Sequence, residues 1–170
     1  MHLQSITSIR ELVRELLRHR DRSAYGEILS RYNVPIKDIA PYFRWNKKHY
    51  TRTCIQRNND FELLVICYEP GQSTSIHDYD SHTAWIHAVK GEVVEERFVN
   101  TSSGLQRTRE LTLRPGEDDS LTNGTSIHRF INIAPERAVT LNLYAKPMSK
   151  WRVYDPGTGE ATIAPAGPAP

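Results

Sequence analysis

Between residues 49 and 144 the sequence passes through short apolar or alternating stretches closed by glycine, proline, asparagine or serine, with no helical period between them. This succession constrains the fold more than any other feature. Residues 61–68 (F-E-L-L-V-I-C-Y) are almost continuously apolar, as a strand buried on both faces requires. Residues 49–57 mix β-branched and aromatic residues with polar ones, as a half-buried strand does. Further strands are expected at 84–90, 93–100, 105–113, 128–132 and 139–144. Strands this short and closely spaced bury their faces against one another, which predicts an all-β sandwich or jelly-roll barrel.

Ahead of the strands the period changes to that of helices. Ser8 and Glu11 form a capping box, and Ile9, Leu12, Val13, Leu16 and Leu17 recur at helical spacing, so a helix is expected over 5–20. A second is expected over 23–32, with Ala24, Ile28 and Leu29 on its buried face. Pro35 opens a short third through Ile39, and Pro41 ends it. The expected organisation is therefore a helical segment, residues 1–44, packed on a barrel of residues 45–154. The stretch 155–170, rich in Pro, Gly, Ala and Thr without periodicity, is expected to be a disordered tail.

Composition narrows the function classes. A formal net charge of +2 gives little reason to expect nucleic acid as a partner, and the basic residues of the first fifty positions are interleaved with acidic ones. No apolar run has the length of a membrane span, and no signal-peptide pattern follows Met1, so a cytoplasmic location without membrane contact is expected. Cys54 and Cys67 sit inside strand patterns and read as buried free thiols in a reducing compartment.

The chemistry concentrates between Gly71 and Gly91, where three of the seven histidines (His77, His82, His87) accompany Asp78, Tyr79 and Asp80. Side chains two apart on a strand share a face, so His77 and Tyr79 point the same way. His128 lies in a distant hairpin that opens with Pro115-Gly116. Imidazoles converging from neighbouring strands, with positions left open for other ligands, are what non-haem metal chemistry needs. His87 has the opposite parity to Ala84 and Ile86 and is expected to point outward.

Gly71, five residues, His77, one residue, Tyr79 and a closing Gly91 resemble the first cupin motif, with Ala84 where that motif places Glu. Pro115-Gly116 and H128-R-F-I-N132 resemble the second. More specifically, the chain resembles a bacterial cysteine dioxygenase from about Tyr50 to Pro147. The block Y50-T-R52-T-C-I-Q-R resembles that family's Tyr-x-Arg strand, and T140-L-N142-L-Y144-A-K-P147 resembles the strand with its active-site tyrosine. The fold implied is a cupin jelly-roll barrel with N-terminal helices.

The resemblance also implies roles. His77 and His128 are metal ligands, Arg52 pairs with a substrate carboxylate beside Tyr50, and Tyr144 is the active-site phenol, with Asn142 next to it in the substrate-binding set. The implied metal is Fe(II). The implied partners are L-cysteine or a close amino-acid thiol and O2, giving a sulfinate or another S-oxygenated product, with the oligomeric state open. The alternative is a non-catalytic or non-oxidative cupin that binds a small acid or thiol. Three positions depart from the family: Tyr79 replaces the second ligand histidine, Asn142 replaces a histidine and Thr140 a serine. Tyr79 leaves three outcomes open: a tyrosinate ligand, His82 as substitute imidazole, or loss of the metal. It also admits Ni, Cu or Mn in place of iron.

Overall fold

A computed structural model describes residues 4–19, 21–79, 83–122 and 126–165, and the chain divides into two compact units, residues 1–43 and 44–170. The first unit contains α1 (Ile9–Arg18), α2 (Tyr25–Ser30) and α3 (Ile36–Ile39). Ser8 caps α1, its hydroxyl accepting a hydrogen bond from the Glu11 amide at 3.1 Å. Glu11 reaches back to the amide of Thr7 at 2.9 Å, one residue beyond the expected reciprocal bond. Ile9, Leu12 and Leu16 are buried, whereas Leu17 is half exposed although it shares their period. Asp38, in α3, accepts from the Ile9 amide at 2.6 Å and ties the first helix to the third.

The second unit holds the strands: β1 (Thr51–Arg57), β2 (Phe61–Tyr68), β3 (His77–Tyr79), β4 (Thr83–Lys90), β5 (Val93–Thr101), β6 (Gly104–Leu113), β7 (Asp118–Thr122), β8 (Ile127–Ile131), β9 (Ala138–Ala145), β10 (Lys150–Tyr154) and β11 (Ala161–Pro165). They form two antiparallel sheets, ordered β1-β2-β9-β4-β7 and β11-β10-β3-β8-β5-β6. This is the all-β jelly-roll architecture expected from the strand spacing. Every residue of β2 and β9 is buried, which explains why these central strands carry apolar side chains on both faces. Leu64, Ile66, Ala84, Ile86, Val93, Leu113, Leu121 and Phe130 pack into one core between the sheets.

The expectation of a disordered tail from Asp155 is corrected for residues 155–165. All five residues of β11 pair with β10, from Ala161 opposite Tyr154 to Pro165 opposite Lys150. Asp155 builds the connecting loop, its carboxylate accepting from the amides of Gly157 at 2.9 Å and Thr158 at 2.7 Å. An Asx turn of this kind draws on the same Gly, Pro and Thr that suggest disorder by composition alone. Residues 166–170 lie outside the described residues. Asn132 braces the turn that follows β8, where its side-chain amide donates to the Glu136 carbonyl at 2.8 Å and its side-chain oxygen accepts from the Ala134 amide at 3.1 Å. No helix among the described residues is long and apolar enough to cross a membrane.

Gly91 follows β4 in the left-handed region, at φ +64°, and a Cβ there would lie 2.5 Å from the Arg137 carbonyl oxygen. Both the backbone conformation and the close strand require glycine. Gly91→Ala is therefore expected to cost about 2 kcal/mol or more, read as a lower urea midpoint. An unchanged midpoint would show that the Arg137 strand end yields freely.

Candidate metal centre and substrate cavity

The register of β3 on β8 sets His77 directly opposite His128. Their rings lie 4.6 Å apart at 75°. Tyr79, two residues along the same face, stands 5.9 Å from the His77 ring and 5.4 Å from that of His128. From the other sheet, Tyr144 presents its ring edge-on to Tyr79 at 5.2 Å. Two strands of one sheet thus bring together His77, Tyr79 and His128, three of the four side chains expected as metal ligands, and a strand of the other sheet adds Tyr144, expected as the active-site phenol.

Both imidazoles are buried. Burial pushes the His77 pKa down to about 4, with the Ser75 carbonyl opposing and Arg52 adding to the shift. Burial, reinforced by His77 and Arg97, takes His128 well below the usual histidine range. Each ring is therefore neutral near pH 7, the form that binds metal ions. The Nδ1 of His77 bonds the Ser75 carbonyl at 2.8 Å, which makes Nδ1 the protonated nitrogen and leaves the Nε2 lone pair for a ligand.

Tyr79 differs. Burial, followed by the neighbouring Tyr144 and Glu95, holds its phenol well above the usual tyrosine range, so the side chain is neutral. Two imidazole nitrogens and a phenol oxygen form a donor set that suits a first-row transition metal. The fit has a condition, since a tyrosinate ligand must first release its proton and its surroundings oppose a bare anion. Among the described residues no group of three or more His, Cys, Asp or Glu gathers for a metal. His82 lies outside the described residues. His87 bonds Asp118 on the outer side of β4 and does not join the site.

Next to the imidazoles lies a cavity lined by Tyr50, Arg52, His77, Asn142, Tyr144 and Trp151. Arg52 projects into it from β1 and, among the described residues, makes no hydrogen bond or ion pair. Its guanidinium rests 5.7 Å from the centre of the Trp151 ring. Tyr50 stacks on Tyr68 at 5.8 Å. The alternation of β9 aims Thr140, Asn142 and Tyr144 inward, and they hydrogen-bond in series. The Thr140 hydroxyl donates to the Asn142 carbonyl oxygen at 2.7 Å, and the Asn142 amide donates to the Tyr144 hydroxyl at 3.3 Å. Accepting that bond leaves the Tyr144 proton free for the cavity. Burial keeps this phenol above its usual range, partly opposed by Arg52 and Asn142.

Two features escape a reading of the sequence. Trp151 reaches the cavity because β10 pairs with β3, setting Trp151 opposite Tyr79. The alternation K-W-R-V-Y was the available signal. On the outward face of the same pair, Arg152 grips Asp78 with a two-pronged fork, at 2.8 and 2.5 Å, and the Tyr154 hydroxyl donates to Asp78 at 2.9 Å. The second feature is a carboxyl pair. Glu95 is fully buried and accepts from Arg97 at 3.0 Å, and Arg97 also donates to Asp119 at 2.7 Å. Burial, and then the Asp119 carboxylate, push Glu95 up to about 8. The other oxygen of Glu95 meets no donor among the described residues, which suits a carboxyl that carries its own proton toward Asp119.

A family model described as cysteine dioxygenase type I matches residues 2–157. Cysteine dioxygenase type 1 of Homo sapiens is 28% identical over 137 residues, which cover 78% of this chain and 68% of that protein. Among solved structures, a Klebsiella pneumoniae protein with a double-stranded β-helix domain aligns with a TM-score of 0.53 at 20% identity, covering 75% of this chain and 88% of that one. A cupin superfamily protein from Desulfitobacterium hafniense aligns with a TM-score of 0.52 at 13% identity, covering 64% and 88%. At these identities the two structures speak for the cupin fold alone.

The raised Glu95 pKa makes stability depend on pH. The unfolded chain loses this proton near pH 4.5 while the folded chain keeps it to about 8, so the stabilising contribution is complete at low pH and declines across that interval. Glu95→Gln, which cannot ionise, is expected to raise the melting temperature relative to wild type at pH 8 more than at pH 5. An equal effect at both pH values would contradict a protonated Glu95.

Proposed function

The chain belongs to the cysteine dioxygenase type I family, and on that premise we propose that it oxidises the sulfur of L-cysteine, or of a closely related amino-acid thiol, with O2. That it is a metal-dependent thiol dioxygenase in general follows from the family; substrate, product and metal are the proposal. The observation that carries it is Arg52, a half-buried cation that makes no ion pair among the described residues and faces the cavity beside His77 and Tyr144. A guanidinium with no ion pair among the described residues, next to neutral ligand-type imidazoles, suits a substrate with a carboxylate at one end and a metal-seeking thiolate at the other.

His77, His128 and Tyr79 would hold Fe(II). When bound, such an ion supplies the redox and Lewis-acid chemistry that lets dioxygen react with a thiolate. The remaining work falls to the protein. Arg52 fixes the carboxylate through its planar fork, with Tyr50 closing the side of the cavity. The Tyr144 hydroxyl, oriented by Asn142 and through it by Thr140, turns its proton toward the reacting sulfur and oxygen. Buried surroundings strengthen each of these bonds and keep water out. In the overall change both oxygen atoms join sulfur: the thiolate loses four electrons, O2 gains them, and no external reductant is needed.

Oxygen-electrode assays on protein reconstituted with Fe(II) test this reading. Uptake with L-cysteine is expected, and absence of uptake with any of Fe, Ni, Cu or Mn and any small thiol would overturn it. Arg52→Ala removes charged hydrogen bonds worth about 1.5–3 kcal/mol and is expected to raise KM roughly 10- to 150-fold. His128→Ala is expected to lose stoichiometric metal, measured by elemental analysis. Metal retained by that variant would reject His128 as a ligand.

A further inference from the structure

We infer that Trp151 is the gate of the substrate cavity and sets the size of thiol that enters; this rests on the reading of that cavity as an amino-acid thiol site. The indole borders two spaces at once. On one side is the inner cavity with Arg52, His77 and Tyr144, where room for water amounts to about 10 Å³. On the other is an outer groove of about 310 Å³, lined by Tyr79, Lys150, Arg152 and Ile163. An amino acid does not fit in the inner space while the ring stays where it is. The groove offers the volume into which the ring can turn.

The backbone beneath the ring is held fast. β10 is hydrogen-bonded to β3 on one side and β11 on the other, and the Arg152–Asp78 fork pins it on its outward face. Opening is therefore a rotation of the Trp151 side chain and not a movement of the strand. What keeps the ring closed is replaceable. It packs on His77 at 5.0 Å and under the Arg52 guanidinium at 5.7 Å, and its buried Nε1 has no hydrogen-bond partner among the described residues. No hydrogen bond has to break for it to leave. A carboxylate arriving at Arg52 replaces the weak cation–π contact with a charge-assisted pair, which releases the ring only for a molecule that carries that group. Closure behind a bound molecule then limits its length.

Anaerobic titration of the iron-loaded protein with L-cysteine, followed by tryptophan fluorescence and by calorimetry, tests the gate. A fluorescence change is expected in wild type and in Trp85→Phe, whose altered residue lies on the outward face of β4, and is expected to vanish in Trp151→Phe. The preference for L-cysteine over homocysteine in kcat/KM is expected to fall roughly tenfold or more in Trp151→Ala and in the same direction in Trp151→Phe, since one methylene in a closed pocket is worth about that factor. Calorimetric binding of L-cysteine by wild type, with unchanged preference in both Trp151 variants, would overturn the gate and leave the proposed function standing. No binding of L-cysteine by wild type would overturn both.

Discussion

The site depends on one antiparallel register, His77 of β3 against His128 of β8. A slip of one residue along β3 would turn His77 and Tyr79 away from the interior and bring Asp78 in. The structure guards against that slip from the outside. Asp78 is committed to the Arg152 fork and the Tyr154 hydroxyl, so the face opposite the imidazoles is locked to β10. This three-residue strand, too short to hold its register by backbone bonds alone, is fixed by an ion pair on one side and packed rings on the other. The same clamp carries Trp151 into place, because Trp151 and Arg152 are successive residues of β10 on opposite faces.

Around that register the interior is more polar than a jelly-roll core needs to be. Glu95, His77, His128, Thr140 and Asn142 are all buried. Isolated, each would be costly; here most are tied to partners that settle their charge and direction. Glu95 shares its proton and Arg97 with Asp119. Thr140, Asn142 and Tyr144 form a single line of hydrogen bonds along one face of β9. Neutral imidazoles and a neutral Tyr79 stand at one end of the cavity, and Arg52, a cation with no ion pair among the described residues, stands at the other, an asymmetry that suits the proposed zwitterionic thiol.

The sequence made the central strands legible because burial on both faces leaves a direct mark, as in F-E-L-L-V-I-C-Y, and because period-two alternation predicts which of T140-L-N142-L-Y144 point inward. The gathering of His77, Tyr79 and His128 was foreshadowed in the same way, by parity and by two glycine-closed hairpins. Strands β7, β10 and β11 were not legible. They are polar or short, and their formation is decided by which strand they meet, a tertiary fact. Composition misled at residues 155–165, where Asp155 turns Gly, Pro and Thr into an ordered hairpin. Trp151 was missed because the alternation K-W-R-V-Y signals at most a strand, and nothing local says that this strand will lie against His77 and Tyr79.

Tyr79, Asn142 and Thr140, the three positions expected from the sequence to depart from the family pattern, all lie in or beside the proposed site. Thr140 and Asn142 form a hydrogen-bond line to Tyr144, and the phenol of Tyr79 faces both histidines. Whether this set still moves two oxygen atoms to sulfur is read most directly in a single turnover of the iron-loaded protein with L-cysteine under isotopically labelled dioxygen, with the product weighed by mass spectrometry. A sulfinate carrying two labelled oxygen atoms is the predicted result. Unlabelled product, or cystine alone, would contradict it.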